Sequence, residues 1–377
     1  MVDNWSYWEQ KNYLHNLDFI VVGAGIVGYS TALSLKQAVP SANILILERG
    51  NLPSGASSKN AGFACFGSPT ELYDDIQQFG ENVVWQTVKK RWEGLTALRE
   101  TIGDEHLKLE LHGSWDLMTA AEEEIFSKIG PLLPYYNERL LEITGEENVF
   151  SVDMDVAQKF GFSSVTASFY NRLEGQIDTA SMNSAFYRKV VAAGINVLFG
   201  TEVLSIDSSK KEVVTTLGTF TAAKTALCVN GFAARFLPDE DIQPARAQVL
   251  ITDPIPGLAI RGTFHYQFGY YYFRNIDDRV LFGGGRNLDK RGETTTEMVN
   301  TPAIMDALAN LLKTVILPNT PHTISHQWSG IMGVGQTKRP IVKKINAHLY
   351  CGVRLGGMGV AIGTLVGREL AQLMLDN

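Results

Sequence analysis

The run Asp18-Phe19-Ile20-Val21-Val22-Gly23-Ala24-Gly25-Ile26-Val27-Gly28, continued to residue 38 and closed by Ile44-Leu45-Ile46-Leu47-Glu48, decides the fold. An apolar segment of strand length enters a Gly-x-Gly-x-x-Gly turn, and a helix-compatible stretch and a second apolar run follow. Each glycine has a mechanical reason. Gly23 permits the tight turn out of the strand, Gly25 lets a pyrophosphate approach the backbone, and Gly28 lets the helix pack closely on the sheet. Ile26 and Val27 open that helix, whose unpaired N–H groups and positive end favour phosphate. Glu48 lies twenty residues beyond Gly28, at the end of the second strand, where a carboxylate can accept hydrogen bonds from ribose hydroxyls. Strand, turn, helix and acid together predict an α/β fold with a dinucleotide site.

At 377 residues, 45 % of them hydrophobic, the chain is long enough for two domains sharing an interface. The net charge of −7 and the lack of a clustered basic patch argue against a nucleic-acid surface. Cys65, Cys228 and Cys351 are too widely spaced for a disulfide framework or a metal-ligand pair, so no metal is expected. No apolar run approaches the ~20 residues that span a bilayer. Trp5, Tyr7 and Trp8 stand among polar residues with no signal-peptide core. A cytoplasmic protein with no integral membrane segment is the expectation.

Residues 1–14 read as a short lead-in. A small-residue loop, Ser54-Gly55-Ala56-Ser57-Ser58-Lys59-Asn60-Ala61-Gly62, follows Glu48. The spacing predicts one long helix over 70–101, a hairpin over 107–118 turning at His112-Gly113, and helix over 120–141 interrupted by Pro131 and Pro134. An α/β pattern returns with a helix over 179–193, strands over 195–199 and 203–220, and an apolar strand at 225–229 running into Asn230-Gly231. Residues 244–285 are strand-rich and aromatic, notably Tyr270-Tyr271-Tyr272-Phe273, and a helix is expected over 302–315. The close repeats the opening logic: a strand at 349–351, the turn Gly356-Gly357-Met358-Gly359, and a helix from Val360 to about 375. A discontinuous nucleotide domain follows, formed by 15–70, 150–243 and 325–377. Residues 71–149 and 244–324 would form an α+β substrate or cap domain with a mixed antiparallel sheet.

A carboxylate at position 48 disfavours NADP, a point softened by the neighbouring Arg49. The second glycine turn at the C-terminus suits a long cofactor touched by distant pieces of chain. With these motifs in place, residues 18–28, Leu47-Glu48-Arg49 and Ser54 to Gly62 resemble the D-amino-acid oxidase superfamily, in its glycine oxidase and sarcosine oxidase branch. Glu174-Gly175-Gln176-Ile177-Asp178, Ala226 to Gly231 and Gly356 to Gly363 share the resemblance, which covers nearly the whole chain. Lys59-Asn60-Ala61-Gly62 also resembles the oxidase domain of a bifunctional tRNA-wobble-uridine modifying enzyme. The resemblance implies a Rossmann-like FAD-binding domain and oxidation of a C–N bond, with oxygen or another electron acceptor. It implies that Ser57, Ser58, Asn60, Ala61 and Gly62 run under the diphosphate and flavin, that Val203 contacts adenine, and that Gly231 closes over the pyrophosphate, with Asn230 beside it in the cofactor site. Gly357, Met358, Gly359 and Val360 would present helix N–H groups to the pyrimidine edge, where reduction places negative charge.

Amino-acid oxidation also needs a cation for the substrate carboxylate. The family's arginine is missing: Met332 stands in its place in Trp328-Ser329-Gly330-Ile331-Met332-Gly333, and Phe63 and Phe66 replace the arginines of the sarcosine oxidase pattern. The covalent-flavin cysteine is also missing there, so FAD is expected to be non-covalent. Arg274, Arg286, Arg339 and Arg354 are the replacement cations, each with a surface or ion-pair role as the alternative. Arg274, Tyr272 and Arg354 are the expected catalytic residues. Tyr270 and Tyr272 share one face of a strand and Tyr271 the other; one face lines the pocket and one the core. His265, His322 and His326 read as structural. The expected function is FAD-dependent oxidation of a small amine or amino acid. The alternatives are a flavin-binding accessory protein without amine turnover and an oxidase of the tRNA alkylaminomethyl-uridine type.

Overall fold

A computed structural model describes residues 5–376; residues 1–4 of the lead-in lie outside the described part. The opening run folds as read. Strand Leu17–Val22 pairs in parallel with Ile44–Leu47 on one side and Gly218–Leu227 on the other. The order across the sheet is Ile341–Lys344, Leu349–Val353, Gly218–Leu227, Leu17–Val22, Ile44–Leu47, Asn196–Leu198. Antiparallel strands Glu212–Thr215 and Val203–Asp207 extend it from Gly218–Leu227. The central strands are buried on both faces, as β-rich apolar runs with helical cover on both sides require.

Helix Ile26–Ala38 and helix Gly359–Leu375 pack side by side on this sheet. Their contact depends on missing side chains. A Cβ at Gly367 would lie 2.5 Å from Ser30 Cβ and 2.7 Å from the Val27 carbonyl oxygen, and one at Gly363 would overlap Ile26. Helix Glu81–Ile102 crosses the same C-terminal helix at Gly94, which lies against the Ala361 carbonyl.

A second eight-stranded sheet runs Ile324–Val334, Gln243–Thr252, Arg279–Gly284, Tyr271–Ile276, Thr263–Tyr266, Ser114–Met118, Ala167–Asn171, Phe150–Asp153. All its pairings are antiparallel except Thr263–Tyr266 with Ser114–Met118. Three expectations are corrected here. Residues 107–118 form no hairpin; Ser114–Met118 pairs instead with strands distant in sequence. Residues 150–171 and 325–334, assigned from the sequence to the nucleotide domain, supply strands to the second sheet. The helix expected over 70–101 is two, Pro69–Phe79 and Glu81–Ile102, broken at Gly80, whose φ of +81° suits glycine. Among the described residues no helix is long and apolar enough to cross a membrane.

A short ribbon, Phe63–Ala64 with Gly175–Gln176, carries the loop after Gly62 between the two sheets. The buried Glu174 carboxylate clamps it by accepting the Phe66 N–H at 2.6 Å and the Gly67 N–H at 2.9 Å. Burial raises this carboxyl from an ordinary value near 4.5 to about 7, against the pull of those two N–H groups. The folded chain therefore holds a proton here that the unfolded chain releases, so this group's contribution to stability is lost as pH rises from about 4.5 to about 7.

Two outcomes follow. Gly367→Ala overpacks the helix contact and lowers stability by about 1–3 kcal/mol, read as a lower urea midpoint at an unchanged slope; an unaltered midpoint contradicts the contact. Glu174→Gln keeps a carbonyl acceptor but removes the titration. Its Tm relative to the wild type should rise between about pH 5 and about pH 8; parallel profiles would contradict the assignment.

Candidate functional site

The C-terminal ends of the parallel strands are in register, with the Gly23 N–H donating to the Leu47 carbonyl at 2.8 Å and the Cys228 N–H to that of Val22 at 2.9 Å. A cavity of about 650 Å³ opens along this edge, and Val249, Tyr272 and Gly284 of the second sheet form its opposite wall. That size and position suit a bound ligand.

Glu48 stands at one end. Its Oε2 accepts the Ala24 N–H at 3.0 Å, and its Oε1 accepts the Gly50 N–H at 3.0 Å and the Ser54 hydroxyl at 3.3 Å. A carboxylate has about four acceptor sites, so capacity remains for a ligand hydroxyl. Arg49 lies on the Phe232 ring, its Cζ 3.8 Å from the centroid. Val203 lines the same end, its carbonyl accepting Arg235 Nη2 at 2.9 Å.

Gly23, Gly25, Ile26 and Val27 line the middle. Gly23 needs its φ of +105° for the turn. A Cβ on Gly25 would meet the Ser57 hydroxyl at 2.9 Å, so the backbone there must stay bare. The Ser57 hydroxyl accepts the Ile26 N–H at 3.0 Å, and no side chain of the N-cap residue itself closes that helix start. Asn60 shapes the loop: its amide donates to the Ala56 and Ser57 carbonyls, and its oxygen accepts the Gly62 N–H at 2.7 Å.

Ala61, Gly62, Asn230, Gly357, Met358, Gly359 and Val360 line the far end. Helix Gly359–Leu375 begins there with no side-chain cap. Asn230 Oδ1 holds its turn by accepting the Leu355 N–H at 3.1 Å. Three of the residues expected to hold the cofactor sit off the wall. Gly28 packs against the Gly23 carbonyl, Gly231 against that of Met332, and the Ser58 hydroxyl donates to Pro53 O at 2.5 Å.

Beyond this end is an aromatic pocket. The Tyr272 ring lies across Gly283, where a Cβ would meet ring atoms at 2.7–2.8 Å. Phe63 meets it edge-on at 5.7 Å and meets His265 at 5.4 Å. Tyr270 shares the cavity face, whereas Tyr271 enters the core of the second sheet. Burial raises the Tyr272 phenol to about 12 and lowers His265 to about 4, so at neutral pH the phenol keeps its proton and the imidazole is uncharged. His265, read as structural from the sequence, is thus on the cavity wall. It also lies with Cys65 and Glu174 in a cluster whose donor atoms are all within 4.8 Å of one another. Burial raises the Cys65 thiol well above its ordinary range, which keeps it protonated. His322 and His326 are elsewhere: one bonds the Thr320 carbonyl and the other stacks on Trp328.

The four arginines separate clearly. Arg354 lines the cavity, but its guanidinium is spent on Asp241, the Thr337 hydroxyl and the Arg339 carbonyl. Arg339 reaches Gln86. Arg274 is off the wall, buried behind Gly62. Arg286 lines the wall, and among the described residues its guanidinium has no partner; its Nε is buried without an acceptor. Sequence reasoning named Arg286 only as one of four, and a strand-face argument could not reach it because it follows the strand end at Gly284.

An elongated cavity with a carboxylate at one end and two long helices starting on its wall fits an extended dinucleotide. The adenosine half would lie by Glu48, the diphosphate at Gly25 and Ile26, and the redox ring toward Gly62 and Gly357. The comparisons agree. The family model described as DAO, FAD dependent oxidoreductase, matches residues 18–373. The chain is 22 % identical to the sarcosine oxidase subunit beta of Rhizobium meliloti, over 94 % of this chain and 84 % of that protein. It is 21 % identical to the gamma-glutamylputrescine oxidoreductase of Escherichia coli, over 95 % and 83 %. Among solved structures, glycine oxidase from Geobacillus kaustophilus superposes with a TM-score of 0.75 at 20 % identity, over 96 % of this chain and 95 % of that one. L-proline dehydrogenase from P. horikoshii gives 0.74 at 19 %, over 96 % and 94 %. The cofactor of this family is FAD, and the residues along the cavity fit it. The chain belongs to the DAO family of FAD dependent oxidoreductases.

Proposed function

We propose that the protein oxidises a C–N bond of a small, carboxylate-bearing amine or amino acid. FAD, when bound, would supply the two-electron acceptor for a hydride from the carbon next to nitrogen. The chain's own residues bind, orient and exclude water. The observation that carries the reading is the free Arg286 guanidinium on the wall of a cavity that also holds the aromatic pocket of Phe63, His265 and Tyr272.

Each group has a role its environment permits. Arg286 can grip a carboxylate through two parallel N–H donors, a geometry that a lysine does not reproduce. Phe63 and Tyr272 form walls that keep water from the reacting carbon. The neutral His265 imidazole adds no charge beside the substrate nitrogen and can orient it by accepting a hydrogen bond from its N–H; only the uncharged amine has a lone pair to assist hydride departure. Loss of the hydride to the acceptor and of one nitrogen-bound proton to solvent leaves an imine, which water hydrolyses to a carbonyl and the released amine. FAD is held without a covalent bond in this reading: Met332 occupies the wall where a linking cysteine would stand. The names of the relatives, covering sarcosine, glycine, proline and gamma-glutamylputrescine, support an amine bearing a carboxylate.

Anaerobic mixing with glycine, sarcosine, proline and N-acylated diamines should bleach the oxidised flavin band with at least one of them. Arg286→Met should then raise the dissociation constant of that substrate about 10- to 100-fold, the worth of a charge-assisted hydrogen bond, and change the limiting rate much less. Bleaching by dithionite but by none of the amines would sink the proposal; unchanged affinity would remove Arg286 from it.

A further inference from the structure

Arg274 occupies the middle of strand Tyr271–Ile276, opposite Thr263 and Leu281. Its residue is 5 % exposed. Among the described residues it makes no hydrogen bond and no ion pair, and its Nε is buried with no acceptor in reach. This is an expensive arrangement, because a buried charge is ordinarily paired. The carboxylates of Glu110, Asp178 and Asp277 lie near enough to favour its charge, but none bonds it, and the first two are committed elsewhere. Glu110 accepts from Gln176, and Asp178 caps the helix beginning at Thr179 and pairs with Lys108. Burial lowers the guanidinium to about 10, which still leaves it cationic at neutral pH.

The charge is aimed at one place. A Cβ built on Gly62 would lie 3.0 Å from Arg274 Nη2 and 3.3 Å from Cζ. The guanidinium therefore backs directly onto Gly62, and the front of Gly62 is cavity wall. Gly62 cannot move away easily. Its N–H is held by Asn60 Oδ1 at 2.7 Å and its carbonyl by the Ile177 N–H at 2.8 Å, with a φ of +73°. Glu48 and the Gly25 turn occupy the other parts of the cavity, so the redox ring of a dinucleotide has its room at the Gly62 end.

We propose that Arg274 is a fixed cation set behind the Gly62 wall, unavailable to substrate, whose charge acts on the flavin and favours its reduced, more negative state. This rests on the FAD reading of the cavity. The uncapped start of helix Gly359–Leu375 acts in the same sense from another part of the wall. Arg274 is thus a positioning charge, distinct from Arg286, which faces the cavity.

The test is the flavin midpoint potential of the FAD-loaded protein, with flavin content and Tm as controls on folding. Arg274→Met should lower the reduced-to-oxidised ratio at a fixed potential at least tenfold, a fall of about 30 mV for a two-electron couple. Arg274→Lys should retain most of the wild-type value at neutral pH, and substrate affinity should be unchanged in both. An unchanged potential in flavin-loaded Arg274→Met overturns the proposal while leaving the FAD reading intact. So does a weakened substrate affinity at unchanged potential, which would make Arg274 the carboxylate anchor. Should the methionine variant not fold, Arg274→Lys answers alone. A buried lysine gives up its proton more readily than arginine, so its potential should fall more steeply than the wild type's toward alkaline pH. Parallel pH profiles overturn the proposal. A wild-type preparation that binds no flavin would remove the FAD reading itself.

Discussion

The site depends on the close contact between helices Ile26–Ala38 and Gly359–Leu375. Both must begin at the cavity for one ligand to meet both positive ends, and helix starts that lack side-chain caps leave N–H groups for a ligand to satisfy. Glycine at 363 and 367 lets the second helix settle against Ile26, Val27 and Ser30, and Gly94 lets the long helix Glu81–Ile102 press it from behind. Interiors are packed too tightly to absorb an added methyl group there without a shift. Stability and cofactor geometry therefore share one contact.

Charge is distributed around the cavity with the same economy. Arg91, Arg235 and Arg354 line it, and each is tied to a carboxylate: Glu71, Glu202 and Asp241. Lys338 is likewise held by Glu71 and Asp75. These pairs brace the walls. Against that background Arg274 and Arg286, which make no hydrogen bond or ion pair among the described residues, are distinguished by where they point. Arg286 faces the cavity and is suited to an incoming anion, whereas Arg274 sits behind the wall and can act only through its field. The neutral His265 and the protonated Tyr272 add polar contacts to the aromatic pocket without adding charge.

Much of this was legible in the sequence because it is local. The cradle from Asp18 to Glu48 combines two continuous apolar runs, a glycine turn and a helix-compatible stretch within one βαβ unit, and it folded accordingly. The closing strand, turn and helix were readable for the same reason. Sheet membership was less so. Residues 150–171 and 324–334 carry ordinary strand patterns, and nothing in them shows that their partners lie in the second sheet. Ser114–Met118 looked like half of a hairpin because its true neighbours, Thr263–Tyr266 and Ala167–Asn171, are distant. Strand alternation correctly separated Tyr271 from Tyr270 and Tyr272 but could not say which face met the cavity. Arg274 was preferred to Arg286 because it ends the aromatic strand that the family resemblance turns toward the ring, and that position cannot reveal that the Gly62 loop stands between Arg274 and the cavity. Arg354 beside the glycine turn looked available until Asp241, more than a hundred positions away, was seen to hold it.

The central claim is that one end of the cavity, at Glu48, takes the adenosine half of FAD while the other takes the flavin. Titration of the flavin-stripped protein with FAD and with FMN, in the wild type and in Glu48→Gln, tests it most directly. The account predicts that the substitution weakens FAD about tenfold, through loss of a charge-assisted hydrogen bond, and leaves the weaker FMN binding unchanged. Equal FAD affinity in the two proteins, or an equal loss for FMN, would contradict it.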